Sequence, residues 1–170
     1  MFFEVLTLFP EYFSAFQEVS LMKKALEHQV IHLELYNFRA HGLGKHQQVD
    51  DTPYGGGNGM VLRVEPIYEA LQVRKAHYQQ QNQNVRTVLI TPQGVPFSQK
   101  IAQRMSRYEA IMMVCGRYEG FDERVSSFVD EEISGGDFIC LGGEVIAMLM
   151  IETISRLIPE VIQNAEATVE

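Results

Sequence analysis

The feature that most limits the fold of this chain is a set of short apolar runs, each stopped by proline or glycine and separated from the next by a helical pattern. Phe2-Phe-Glu-Val-Leu-Thr-Leu-Phe9 stops at Pro10, Arg86 to Thr91 stops at Pro92, and Ala110 to Cys115 stops at Gly116. A strand apolar on both faces has to be covered on both faces, which a parallel sheet with flanking helices achieves. The spacing of apolar residues predicts helices over 11–29, 65–80, 98–108 and 144–158, with a shorter one over 122–129. Ser98 is placed to cap the third. Residues 32–36 and 138–141 read as further short strands. The expectation is therefore an α/β fold: a mostly parallel sheet with helices on both faces. At 170 residues the chain has the length of one ordinary domain.

In such sheets ligands bind beyond the carboxyl ends of the strands. Three glycine-containing loops are expected there: Thr91-Pro-Gln-Gly94, Gly116-Arg-Tyr-Glu-Gly120, and Ser134-Gly-Gly-Asp137 with Gly142-Gly143 beyond it. Glycine lets backbone approach a ligand closely, although each glycine taken singly also suits a tight turn. Residues 37–60 form a long glycine-rich connection, of a length that is usually functional.

Charge is unevenly spread. The chain carries a net −8, yet residues 1–118 hold 12 Lys/Arg against 10 Asp/Glu, and residues 119–170 hold 2 against 12. A polyanion would meet the first two thirds more readily than the last third. Arg39, His41, Lys45 and His46 could touch phosphate or form a solvated basic loop.

Several chemistries lack their motifs. Gly42-Leu-Gly-Lys45 is followed by His46 and has no Walker A spacing, Gly55-Gly-Gly-Asn-Gly59 is no dinucleotide fingerprint, and GxSxG is absent. His28 and His32 have no HExxH context, so no metal site is expected. Cys115 and Cys140 form no CxxC pair and are expected in strands as small hydrophobes. The longest strictly apolar run, Val145 to Ile151, is far too short to span a bilayer, and Glu4 stands where a signal peptide carries basic charge. No membrane association is expected, and the cytoplasm is the expected location.

The motifs converge on a family. Met1 to Phe13, Asp50-Asp-Thr-Pro-Tyr-Gly-Gly-Gly-Asn-Gly-Met60, Val114-Cys-Gly-Arg-Tyr-Glu-Gly-Phe-Asp-Glu-Arg-Val125, Gly136-Asp-Phe138 with Gly142-Gly-Glu144, and Ile154-Ser-Arg-Leu-Ile-Pro159 together resemble the bacterial tRNA (guanine-N1)-methyltransferases. The resemblance covers essentially the whole chain. It implies a SPOUT-class domain with a deep trefoil knot, S-adenosyl-L-methionine as methyl donor, tRNA as substrate, methylation at N1 of the guanine 3′ of the anticodon, and a homodimer.

By motif position the resemblance points to Thr91, Pro92, Gly94, Gly116, Tyr118, Gly135, Gly136, Asp137, Phe138, Ile139, Cys140, Gly142 and Gly143 as cofactor-binding residues. Tyr54, Asn58 and Gly59 fall on the substrate side. Arg156 matches the arginine that steadies negative charge on the guanine, although Glu152 and Arg156 also have the spacing of a simple helix-surface ion pair. Glu119 matches a motif glutamate near the cofactor, or is a solvated loop acid. The general base, an aspartate, is expected beyond Glu170, after Asn164-Ala-Glu166.

Residues 1–160 are thus expected to be a cofactor-binding domain and 161–170 the start of an interdomain linker, with the C-terminal tRNA-binding domain absent from this chain. Such a fragment would bind cofactor with little or no transfer activity. Thr52, Asn58, Phe138, Ile146 and Glu160 depart from the usual motif residues. The alternatives are another SPOUT RNA methyltransferase, or a non-catalytic SPOUT RNA-binding module.

Overall fold

The computed structural model describes residues 1–162. Their strands, in chain order, are β1 (Phe2–Leu6), β2 (His32–Tyr36), β3 (Asp50–Asp51), β4 (Val61–Leu62), β5 (Val85–Pro96), β6 (Ala110–Cys115) and β7 (Glu131–Ser134). Their α-helices are α1 (Ser14–Gln17), α2 (Ser20–Glu27), α3 (Val64–Gln80), α4 (Gln99–Met105) and α5 (Glu144–Ser155). Five strands form one sheet in the order β2-β1-β6-β5-β7, and every neighbouring pair is parallel. The two-residue strands β3 and β4 pair antiparallel to one side.

Alternation along each strand sorts the core into two layers. Phe3, Val5, Ile111, Met113 and Cys115 face α2, α4 and α5, against Met22, Ala25, Met105, Met150, Ile151 and Ile154. Leu6, Met112, Val114 and Leu89 face the other way, against Ile67, Ala70 and Leu71 of α3. The central β6 is buried along its whole length, as its apolar run requires. Val161, late in the chain, is still part of the first layer.

One charge sits in the second layer. The Glu4 carboxylate is fully buried and hydrogen-bonded to Arg74 of α3, which also bonds Glu34 of β2 and lies 5.2 Å from the centre of the Tyr36 ring. Burial pushes the Glu4 carboxyl above its ordinary value, against the opposing pull of Arg74. A carboxyl whose pKa folding raises contributes fully below its unfolded value and loses that contribution as pH climbs. Glu4→Gln, which stays neutral, is therefore expected to gain stability relative to the wild-type chain as pH rises above 4.5. Paired urea titrations across that range measure it; a difference that does not change with pH would rule the reading out.

Several elements differ from the sequence-based expectation. The helix predicted over 11–29 is broken into a 3-10 turn (Pro10–Phe13), α1 and α2, and Ser20 has a left-handed φ of 51°. The segment over 122–129 is a 3-10 turn, Glu123–Phe128, started by the Asp122 side chain accepting from Arg124 N. Residues 138–141 are not a strand. The strand is β7, slightly earlier, which Glu131 and Glu132 disguise: Glu131 is bonded to Arg86 and Arg104, so its charge is paired at the sheet edge. Cys140 accordingly lies exposed in a loop rather than in a strand, while Cys115 is buried in β6. Residues 92–94 are not a free loop either, since β5 continues to Pro96 through a register shift against β7.

Candidate functional site

A cavity of about 200 Å³ opens at the carboxyl ends of β6 and β7, beside the register shift that follows Ile90 in β5. Its walls come from Ile90 to Pro92, Gly116 to Phe121, Ser134 with Gly135, and Phe138 to Gly143, and Ile146 of α5 closes one side. Strand packing explains why these segments meet there, because β6 and β7 release their chains on the same edge, on either side of the irregular stretch of β5. Of the cofactor residues predicted from the motifs, Thr91, Pro92, Gly116, Tyr118, Gly135, Phe138, Ile139, Cys140, Gly142 and Gly143 line this cavity, and so does Glu119.

Gly94, Gly136 and Asp137 do not line it. Gly94 lies against the backbone of Glu132 and Ile133, where β5 and β7 approach closely. Gly136 donates to the Ser134 hydroxyl and its carbonyl accepts from it, closing the turn that sends the chain toward Phe138. Asp137 is exposed beside that turn.

The loop holding Tyr54, Asn58 and Gly59 reaches the rim. Glu119 N donates to Met60 O at 2.9 Å and Leu62 N donates to Gly120 O at 2.9 Å, so the end of the loop is stitched to the 116–121 segment. Gly59 lies against the Glu119 side chain. Tyr54 and Asn58 stand exposed. Tyr118, on the cavity wall, has a left-handed φ of 61°, a costly backbone geometry for an aromatic residue of the kind functional loops retain.

Arg156 is elsewhere. It caps the carboxyl end of α5 and lines a second cavity of about 350 Å³ with Phe16, Val19, Met22 and Glu152. The first cavity touches Gly143, at the amino end of the same helix. The 12-residue helix between them separates the two by about 18 Å. Residues 163–170, including Asn164 to Glu166, lie outside the described residues. Of the basic residues before the glycine loop, His41 is engaged with Tyr36 at 2.7 Å and Glu69 at 3.4 Å, while Lys45 and His46 are exposed.

Two charged residues missed in the sequence sit beneath the first cavity. Glu144 opens α5 and is 1% exposed; its Oε1 accepts from the Thr7 hydroxyl at 2.7 Å, and its Oε2 lies 3.0 Å from Arg117 Nη2. The Arg117 guanidinium lies over the rings of Phe9 and Tyr12, 4.6 and 4.9 Å from their centres, and Nη1 donates to Leu141 O at 3.4 Å. An acid heading a strongly apolar helix was the available signal, since such a charge has to be paired once buried. Cys115, below the same loops, is no nucleophile: burial pushes its thiol well above the ordinary value.

The lining can hold a small molecule with an apolar flat part and hydroxyls. Backbone groups and the Thr91 hydroxyl offer hydrogen bonds, and Ile90, Phe138, Ile139, Leu141 and Ile146 offer apolar surface. With Arg117 engaged by Glu144, Glu119 is the carboxylate left at the rim, which suits a ligand carrying positive charge. Among the described residues no group of three or more His, Cys, Asp or Glu is placed to hold a metal ion, and no helix is long and apolar enough to cross a membrane.

Comparison with known proteins gives the arrangement a lineage. Residues 1–170 match the family model described as tRNA (guanine-1)-methyltransferase TrmD. A tRNA (guanine-N(1)-)-methyltransferase of Metamycoplasma arthritidis is 49% identical over 160 residues, covering 94% of this chain and 67% of that protein. The enzyme of the same name from Syntrophotalea carbinolica is 46% identical over 167 residues, covering 98% of this chain and 66% of that one. The solved tRNA (m1G37) methyltransferase of Aquifex aeolicus superposes with a TM-score of 0.86 at 40% identity, over 96% of this chain and 72% of that chain. The chain thus spans about two thirds of the length of these curated relatives. With a full-length family match and the same parallel sheet, the chain belongs to the tRNA (guanine-1)-methyltransferase family.

Proposed function

We propose that the cavity at the ends of β6 and β7, beside the register shift in β5, binds S-adenosyl-L-methionine, and that the chain is the cofactor-binding part of an enzyme methylating N1 of the guanine 3′ of the anticodon in tRNA. The observation that carries this is the meeting of the two motif loops after β6 and β7 with Thr91 and Pro92 of β5 on one cavity whose lining is backbone, hydroxyl and apolar surface. Backbone around Gly116, Gly135, Gly142 and Gly143 would hold the adenosine, with Phe138 to Cys140 flanking it. When bound, the donor supplies a methyl group on a positively charged sulfur, and Glu119 is the acid nearest to favour that charge. The reading includes the trefoil knot that the family likeness implies. In support, the chain returns from edge strand β7 past β5 to β6, where Gly143 N donates to Gly116 O at 3.0 Å.

The guanine must lose the proton on N1, and charge then builds on its ring. A guanidinium answers the second need, and Arg156 is the candidate. Its distance from the cavity in one chain is what favours a homodimer. Val145, Leu149, Glu152 and Arg156 are exposed and follow helical spacing along one stripe of α5. A two-fold, antiparallel meeting of that stripe with its copy sets Arg156 of the partner subunit at the amino end of this α5, beside the cavity. The same contact would cover Ile139 and Leu141, which stand 85% and 88% exposed.

Residues 1–160 serve in this reading as the cofactor domain, followed by a linker and a tRNA-gripping part of the kind the longer relatives have room for, in a cytoplasmic enzyme. No aspartate follows Asp137 in these 170 residues. The 170-residue chain tested alone is therefore expected to bind S-adenosylmethionine in calorimetry, to sediment at twice its 19.4 kDa, and to methylate guanine-bearing tRNA at under about 1% of the rate of a full-length relative. Absence of binding heat would sink the cofactor assignment, and full-rate transfer by this chain would sink the need for a further base.

A further inference from the structure

We infer that Arg117 is a positioning residue for the cavity, holding the 138–143 lip in the form that accepts the methyl donor. The inference deepens the proposed cofactor reading and rests on it. The lip has few other anchors. Phe138, Ile139 and Leu141 project into solvent, and the lip's backbone is tied back by Gly143 N to Gly116 O, Arg117 Nη1 to Leu141 O and, at its junction with α5, Ala147 N to Gly143 O.

Arg117 itself is fixed on three sides. Glu144 pairs with it from the start of α5, Phe9 and Tyr12 lie beneath it from the segment after β1, and Leu141 O accepts from it in the lip. Glu144 is held in turn by Thr7, which also accepts from Phe9 N at 2.9 Å. One guanidinium therefore joins the chain after β1, the loop after β6, the lip and α5. Gly142 shows how closely the lip is laid on this group: a Cβ there would come within 2.4 Å of Arg117 Nε and 2.6 Å of Glu144 Oε2. A planar fork stacked on rings performs this joining; a point charge on a flexible stem can pair with Glu144 but cannot also stack and reach the Leu141 carbonyl.

Arg117→Lys tests this, with Arg117→Met/Glu144→Gln as a second variant that removes the charge pair without leaving a bare buried charge. Calorimetry with S-adenosylmethionine, thermal melting, and hydrogen exchange of the lip and β6 amides are measured on the whole 170-residue chain. The expected result is a Kd about tenfold weaker in both variants, with lip amides exchanging about tenfold faster while β6 amides keep their protection. Unchanged Kd and unchanged lip exchange would overturn the inference, as would equal loosening of lip and β6, which marks a merely structural residue. If Arg117→Lys fails to fold, the double variant decides by the same readings. If the wild-type chain binds no S-adenosylmethionine, the cofactor reading fails separately, and lip exchange alone upholds or rejects the hold of Arg117.

Discussion

Gly94→Ala is expected to destabilise the fold by about 3 kcal/mol, with no specific effect on cofactor affinity beyond the share of chains unfolded. The new Cβ would stand 2.5 Å from the carbonyl carbon of Glu132 and from the nitrogen of Ile133, and 2.6 Å from the Ile133 carbonyl carbon. These are backbone atoms of β7, so no side chain can swing aside. The strain has to be relieved by separating β5 from β7, where the register already shifts between Ile90 and Val95. Urea unfolding of Gly94→Ala beside the exposed neighbour Gln93→Ala measures the cost. The alternative role for Gly94, as a backbone contact to the ligand, predicts the opposite split: a normal unfolding midpoint and a weaker Kd. Equal stability of the two variants would show that β7 yields freely.

That contrast also shows where sequence reading runs out. Gly94 and Gly143 are the same letter in motif-bearing segments, and only the structure separates a strand seam from a cavity wall. Strand β6 was legible residue for residue, because a central strand has no solvent face on which to place a polar side chain. Strand β7 was hidden by Glu131 and Glu132, the first of which is paired at the sheet edge, and residues 138–141 imitated a strand although their apolar side chains stand exposed on the cavity lip. The break at Ser20 left no mark on the helical periodicity of residues 11–29, since a left-handed φ at serine has no sequence signature. In the site, the wall residues were legible through motif position. Arg117 and Glu144 were not, because their meaning lies in each other and they stand 27 positions apart in the chain, with β7 between them. The separation of Arg156 from the cavity was equally invisible, as spacing along a chain says nothing about which end of a helix faces which cavity until the helix bounds are known.

Gly143→Ala is the substitution expected to act most on function: about a thirtyfold loss of S-adenosylmethionine affinity with a smaller loss of stability. The backbone there, φ −80° and ψ −12°, is one that alanine adopts freely, so any effect is steric rather than conformational. A Cβ would lie 2.9 Å from Cys115 Cα and 3.1 Å from Gly116 N, at the end of the most buried strand in the sheet. Since β6 cannot move, the start of α5 must, and the bond from Gly143 N to Gly116 O lengthens with it. Residues 116–121 and 138–143 both line the cavity and adjoin where Gly143 N donates to Gly116 O, so a shift of a few tenths of an ångström at their junction changes the cavity's shape while the core layers stay packed. Calorimetric titration and melting of the same sample separate the two effects. An affinity within twofold of the wild type would mean that the walls are set independently of this junction, and would move the weight of cofactor binding onto the β5 side, at Thr91 and Pro92.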